Sequence, residues 1–524
     1  MSKLNRVAIL PITIVSLGIF LRFSWLTHQS LWYDEGISLV ISDGESLLDP
    51  FQVMWARPGG DKYQPLYYTV LFLWRNLFGS SEYLLRTLSV LTGVGTLVVL
   101  FFMVKRIYGE EHACWSTLLM SVSAFCIYFS QEIRPFSLQL FLGCLQLYFF
   151  SCILRPKKQR QLKSSIVFGL ITAINFFGGI LLVVFSLSIA ISHFIALPKI
   201  KSWFLWWLPV AFLSTPVMLY YLASPAAGDP SGDSTNGLGM PLYKSATFVI
   251  HGLLVGSSYG PPLEFLRENS SMRNIFNSYG LPLSIFFVVL IVLAIGLISY
   301  YWKEIQKGSV GLADKFFIIL LVISFVLSAI LASVSGINWM PRHSFFVYLP
   351  LCIVLPLVTK QPLHEFGNRT KLRTFDVFSN ALILLVSLNL FSVSNYFFDE
   401  AYWRDDYRSA AHYLAENQQP DEASVLLWGT TRLLDYYGAP QTLSAVGMGR
   451  NELRQNLIFR TNQARVVYIL VNREFAWTRQ HGLEDSTIPE LLSEQYTLDS
   501  KVEFVNFNIY RFHRQLSERV AGEA

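Results

Sequence analysis

The stretch Leu31-Trp32-Tyr33-Asp34-Glu35-Gly36 places two adjacent carboxylates just past an apolar run long enough to cross a bilayer. Charge beside hydrocarbon is costly and is kept mostly where it has a function. Trp32 and Tyr33 suit the headgroup level. An ordinary acidic loop beside an aromatic belt has the same composition, so position alone does not choose between the two. A carboxylate in that place can take the proton of an attacking hydroxyl, provided it lies within hydrogen-bond reach. If the leaving group is a phosphate on a membrane lipid, cations or a metal must meet the charge that develops there. A base on the face opposite the leaving group inverts the attacked centre. Asp34 and Glu35 are neighbours, so they point about 100° apart on a helix or to opposite faces of a strand. One of them can be the base, while the other positions a donor, a metal or the loop.

Further groups suited to that chemistry follow in order. Asp61-Lys62-Tyr63-Gln64-Pro65-Leu66-Tyr67-Tyr68 offers a cation among tyrosines, and Ser81-Glu82 with Arg86 opens the next apolar run. Ser130-Gln131-Glu132-Ile133-Arg134 forms a very short polar turn. Glu132 and Arg134 either close that turn as a mutual ion pair, or Arg134 is a phosphate partner. Arg342 and His343 stand at the start of a late apolar run. The five cysteines form no CxxC pair and read as small buried hydrophobes.

The elements that must position these groups are mostly membrane spans. Of 524 residues, 52% are hydrophobic and only 15% charged, where soluble domains run nearer a quarter charged. The net charge of +5 is small and no basic run with interleaved aromatics stands outside the loops, so no nucleic-acid partner is expected. Apolar segments of spanning length lie at 7–27, 85–104, 113–130, 137–154, 203–222, 281–302, 316–334, 343–359 and 375–395. The first is too long, and lacks the cleavage site, for a signal peptide. The stretch 164–197 holds Asn175-Phe176-Phe177-Gly178-Gly179, a good place to turn. Split there, it makes about eleven transmembrane helices.

Charge supports the split. With the N-terminus inside, the inner segments carry 18 Lys and Arg in 55 residues, against 8 in 130 residues outside, the positive-inside asymmetry. Residues 1–395 then form the membrane domain, with two long outer connections, 28–84 carrying the acid pair and 223–280, the latter including the flexible composition Ser224–Gly232. Residues 396–524 read as a small extracytoplasmic α/β domain. Arg404–Asn417 predicts an amphipathic helix, Ser424–Trp428 and Arg465–Val471 buried strands, and Val502–Phe512 a strand pair or one long strand. Trp428, Tyr436 and Tyr437 suit either core packing or stacking on a sugar.

Taken together, the motifs resemble the GT-C superfamily of lipid-phosphate-sugar-dependent glycosyltransferases, in the bacterial branch related to protein O-mannosyltransferases and the aminoarabinose transferase of lipid A. The resemblance rests on Trp32-Tyr33-Asp34-Glu35, Tyr63-Gln64-Pro65-Leu66-Tyr67-Tyr68, Ser81-Glu82 with Arg86, Ser130-Gln131-Glu132 with Arg134, Pro341-Arg342-His343, and Trp403-Arg404-Asp405-Asp406-Tyr407-Arg408 at the start of the outer domain. It implies a GT-C fold and transfer of a sugar from a polyprenyl-phosphate donor to a hydroxyl of a protein, lipid or glycan. Asp34 is then the catalytic base and Glu35 assists. Lys62, Tyr63, Gln64, Tyr67, Glu132, Arg134, Arg342 and His343 bind substrate. Two departures bear on this: Tyr63-Gln64 stand where the family has His-Pro, and Asn175-Phe176 where relatives show His-Tyr. Some members of the superfamily use a divalent metal and the mannosyltransferase branch generally does not, so the resemblance favours none while the carboxylates leave a divalent metal open. The implied location is a bacterial inner membrane, multi-pass, with a cytoplasmic N-terminus.

Two other classes fit the composition. A transporter or flippase of lipid-linked sugars would place ionisable groups at mid-membrane on broken, repeated helices, whereas these acids cluster at an interface. A receptor or assembly module in the tail would leave the spans as scaffold.

Overall fold

The computed structural model describes residues 3–56, 60–154, 161–197, 200–223, 242–262, 265–266, 271–308, 310–335, 339–359, 377–427, 429–445, 450–461, 464–472 and 487–515. The chain forms two compact units. One comprises Met1–Leu26 with Ser42–Phe398, the other Thr27–Ile41 with Asp399–Ala524.

The first unit is helical. It holds α1 (Lys3–Phe23), and α2 (Tyr33–Ile41) belongs to the other unit. Then follow α3 (Asp49–Ala56), α4 (Pro65–Phe78), α5 (Glu82–Tyr108), α6 (Glu110–Val122), α7 (Ala124–Ser130), α8 (Phe136–Leu154), α9 (Gln161–Gly178), α10 (Ile180–Ala196), α11 (Ile200–Ala223) and α12 (Leu242–Val255). Later helices are Met272–Gln306, Leu312–Ser335 and Val377–Phe398, with a run of 3-10, α and 3-10 turns over Pro341–Val358. The two long connections are therefore not simple loops, since α2, α3 and α4 lie in one and α12 in the other. Ser224–Gly232 lies outside the described residues.

Among the described residues, six helices are long and apolar enough to span, or seven if the bent pair α6–α7 is one span. Among the described residues, five further apolar helical stretches have 10–17 residues, Lys163–Gly178 of α9 and Ile180–Ala196 of α10 among them. The break between α9 and α10 falls at Gly179, whose φ of 137° suits glycine. The spans at Arg273–Gln306 and Leu312–Val334 bury only 22% and 28% of their apolar windows, so they offer most of their surface to lipid. Pro341–Val358 buries 72% and is central. The core joins Leu100, Met103, Trp115, Phe185, Leu320, Leu349 and Leu382.

The expected span 113–130 is broken by 59° after Val122. In lipid, backbone groups freed by such a break need partners from the protein. Ser123 caps α7 by accepting from Cys126 N at 3.2 Å, and Ala124 N donates to Asn389 Oδ1 at 3.0 Å. Arg22, buried in α1, donates to the carbonyls of Met120 at 3.0 Å and Ser121 at 3.1 Å. A cation inside a span is thus explained by the broken helix beside it.

The second unit is α/β. Five strands, β1 (Ala423–Leu426), β2 (Thr442–Ser444), β3 (Val466–Asn472), β4 (Tyr496–Phe504) and β5 (Phe507–Arg514), form a sheet of order β2-β1-β3-β5-β4. β1 pairs in parallel with β2 and β3, while β5 runs antiparallel to β3 and β4. All seven residues of β3 are buried, as a central strand covered on both faces requires. The expected region Val502–Phe512 is a hairpin, turning through Val505 and Asn506 with Asn506 at φ 54°. The predicted amphipathic helix runs over Tyr407–Asn417, starting three residues later than expected, because the Asp406 side chain caps it by accepting from Ser409 N at 3.0 Å. Tyr407, Ala410, Ala411 and Leu414 are its buried stripe. Trp428 lies outside the described residues.

Candidate active site

The helical unit gathers one cluster of the expected groups. Pro65 at the first position of α4 fixes the helix start, and the 3-10 turn Gly60–Tyr63 precedes it. Asp61 on that turn meets Arg134 from the turn after α7, with Nη2 to Oδ1 at 3.0 Å. Tyr68, one helical turn into α4, closes the triangle. Its hydroxyl donates to Asp61 and accepts from Arg134 Nη1 at 3.2 Å. Tyr68 is fully buried and Tyr67 packs edge-on against it at 5.4 Å. The structure thus gives Arg134 an ion-pair partner in Asp61, a residue to which the sequence motif assigned no role. Glu132 is buried in the same turn.

Lys62 is 2% exposed, and its ammonium lies over the Tyr63 ring at 5.3 Å from the centroid. Among the described residues no carboxylate pairs with it. Loss of water pulls its pKa below the ordinary lysine value. Gln64 is anchored by Gln139 of α8, whose Nε2 donates to Gln64 Oε1 at 3.3 Å and to Gly178 O at 2.7 Å. A Cβ on Gly179 would stand 2.5 Å from Gln139 Nε2 and 3.1 Å from Tyr63 O. The α9–α10 break thus lets the backbone approach the turn that carries Lys62.

Ser81, Arg86 and Gln131 of the other motifs support neighbouring elements, and Arg342 and His343 open a later helical run. Ser81 caps α5, accepting from Leu84 N at 3.4 Å. Arg86 donates to Leu26 O at 2.8 Å and pairs with Glu82 at 3.7 Å. Gln131 Nε2 donates to the carbonyls of Leu21, Arg22 and Ser24 at 3.4, 2.9 and 2.8 Å, closing the end of α1. Arg342 and His343 lie in the first turn of the 3-10 helix Pro341–Val347, and His343 Nδ1 accepts from Met340 N at 3.3 Å.

The acid pair belongs to the α/β unit. Both carboxylates are in the first turn of α2, where acids complement the helix dipole. They have different surroundings. Asp34 is half-buried, whereas Glu35 is fully buried and pairs with Arg404 Nη1 at 3.5 Å. The Arg404 guanidinium also lies over the Trp32 ring at 5.7 Å. Arg404 was visible in the Trp403–Arg408 motif, but no local pattern names Glu35 as its partner 369 positions away.

The sequence matches the family model of dolichyl-phosphate-mannose-protein mannosyltransferases over residues 62–225. No curated protein sequence matches the chain. ArnT from Cupriavidus metallidurans in the apo state superposes with a TM-score of 0.57 at 11% identity, covering 97% of this chain and 98% of that one. The same protein bound to undecaprenyl phosphate gives 0.53 at 12%, covering 95% and 97%. An Archaeoglobus fulgidus oligosaccharyltransferase, tethered with an acceptor peptide containing the NVT sequon, gives 0.53 at 12%, covering 98% and 74%. In sequence over residues 62–225 and in fold over nearly its whole length, the chain resembles the membrane glycosyltransferases of the GT-C superfamily.

Proposed function

We propose that the protein transfers a sugar from a polyprenyl-phosphate donor to a hydroxyl acceptor on the extracytoplasmic side of a bacterial inner membrane, inverting the anomeric centre. The hydroxyl oxygen attacks the anomeric carbon, and the bond from that carbon to the phosphate oxygen breaks. The phosphate leaves on its lipid, and Asp34 takes the hydroxyl proton. Lys62, Arg134 and Arg342 hold the phosphate, with Tyr63, Gln64, Tyr67, Glu132 and His343 around the donor. Glu35 assists Asp34. The carboxylates do not decide between a divalent metal and none, and the steps above are carried by side chains alone.

The observation that carries the reading is Lys62, a desolvated ammonium with no carboxylate partner among the described residues. Taking a cation out of water is costly unless an anion meets it, and a lipid phosphate is such an anion. The likeness to a structure bound to undecaprenyl phosphate supports that donor class. The fit of Asp34 is chemical: it is the half-buried member of the acid pair, and Glu35 is the fully buried one.

The test is transfer by the Asp34→Asn protein from labelled polyprenyl-phosphate mannose and glucose to a total membrane extract. A loss of about 10²- to 10⁴-fold in kcat is expected for a missing general base. Wild-type turnover would reject the assignment.

A further inference from the structure

We infer that Arg404 is the positioning residue of the acid turn: its grip on the Glu35 carboxylate and on the Trp32 ring fixes the direction in which the neighbouring Asp34 points. The inference rests on the reading of Asp34 as the base, and it goes beyond that reading by assigning a role to Arg404.

The segment Thr27–Gly36 is fastened to the α/β unit along its length. Arg408 Nη2 donates to Thr27 O at 2.9 Å, and the His28 ring meets Trp403 edge-on at 4.6 Å. Gln29 Oε1 accepts from Arg404 N at 3.2 Å. Ser30 Oγ donates to Asp405 O at 2.8 Å and accepts from Tyr407 N at 3.1 Å. Leu31 N donates to the Tyr437 hydroxyl at 2.8 Å. At Gly36 a Cβ would stand 2.6 Å from Thr430 Cγ2, so α2 lies directly on the helix Thr431–Tyr436 and its flank. Within this frame Arg404 and Glu35 form an enclosed charged pair, at 4% and 0% side-chain exposure.

The two acids share one helical turn, and their side chains diverge by about 100°. With Glu35 pinned, the backbone turn that carries Asp34 is held in place with it. An arginine suits the holding position because its planar fork can bond a carboxylate edge-on while its face covers an aromatic ring. A lysine can do only the first. Stability is a poor explanation of the pair, since a buried pair often gains nothing over apolar residues of like volume, and the unit has an apolar core of its own around Val467, Ile469, Tyr510 and Phe512.

The experiment uses the full chain in proteoliposomes, with labelled polyprenyl-phosphate mannose and glucose as donors and a total membrane extract as acceptor source. Four variants are compared: Asp34→Asn, Arg404→Met, Arg404→Lys and the neutral pair Arg404→Met with Glu35→Gln. Misplacement of a reacting group by an ångström costs about 10²-fold, so Arg404→Met is expected to lose about that factor in kcat. Its KM for the donor should stay within about twofold by the same reasoning. Arg404→Lys should fall between it and wild type. The neutral pair should lose no more than Arg404→Met, because both break one link. Wild-type kcat in Arg404→Met beside an inactive Asp34→Asn overturns the positioning role and leaves the base assignment standing. An active Asp34→Asn removes the base assignment itself. A raised KM with unchanged kcat also overturns the inference, since it would make Arg404 a substrate contact. If Arg404→Met fails to fold because Glu35 is left charged and alone, the neutral pair decides by the same kcat criterion.

Discussion

Replacing Gly36 by alanine tests the clamp on the acid helix without touching a charge. Two effects compete. Alanine in a helix interior is favoured over glycine by about 1 kcal/mol, and Gly36 is in the body of α2. Against this, the added Cβ would lie 2.6 Å from Thr430 Cγ2, 2.8 Å from Leu433 Cγ and 3.1 Å from Leu433 Cδ1. Leu433 is fully buried, and Cγ is its branch point rather than a free end, so the neighbour cannot swing away cheaply. Overpacking of this kind costs about 1–3 kcal/mol. The clash at least cancels the propensity gain, and the net expectation is a loss of about 0–2 kcal/mol from these two terms. At about 2–4 °C per kcal/mol for a unit of this size, the α/β unit should melt up to roughly 8 °C lower. The assay is thermal unfolding of the purified full chain, followed by Trp fluorescence. Leu433→Ala in the same chain reopens the space, so the double variant should recover part of the loss left by the two single substitutions, a coupling of neighbours that a double-mutant cycle measures. A Gly36→Ala protein that melts higher than wild type would refute the close approach of α2 to Leu433.

Two further substitutions probe the phosphate-binding groups. Asp61→Asn removes the carboxylate that occupies Arg134 at 3.0 Å. With that competitor neutral, the KM for the lipid donor should fall about tenfold, the equivalent of about 1.4 kcal/mol of relieved repulsion; an unchanged KM would take Arg134 out of phosphate binding. Lys62 is held below its ordinary pKa by burial. Its charge is present below that depressed value and lost as pH rises through it. Donor KM should therefore climb on the alkaline side at a lower pH than an ordinary lysine would give, and Lys62→Arg should move that limb upward. A KM profile flat through the alkaline range would show that the Lys62 charge does not meet the donor.

How much of this was legible in the sequence depends on the range over which each feature is encoded. The helical unit is written in local hydropathy, and the turn at Asn175–Gly179 in two adjacent glycines. The Tyr407–Leu414 stripe is written in its 3.6-residue period, but its start is not, since Arg404 and Asp405 continue the pattern while Asp406 ends it by capping. The break after Val122 is hidden in an unbroken apolar run, because the partners that make it affordable, Arg22 and Asn389, come from distant helices. β2 has three residues, too few for any periodicity. At the site, the sequence named no partner for Arg134 beyond its own turn, and the fold brings Asp61 to it from about seventy positions away. Nothing local marks Thr27–Ile41 as part of the same unit as Asp399–Ala524. That grouping exists only through contacts between residues some 370–410 positions apart.

That long-range grouping bears on why the acid pair is divided as it is. Two carboxylates on successive residues repel one another, and an interface near hydrocarbon makes both costly. Binding Glu35 to an arginine balances one of the two charges, which lowers the repulsion on its neighbour. It also holds the acid turn in place, because a fork held between Glu35 and the Trp32 face at 5.7 Å admits few orientations. The cost is a buried charged pair whose two halves lie in opposite ends of the chain, so the acid turn can be complete only after the last domain has folded. On the proposed reading, the lipid-linked donor then meets no competent base in a half-made protein.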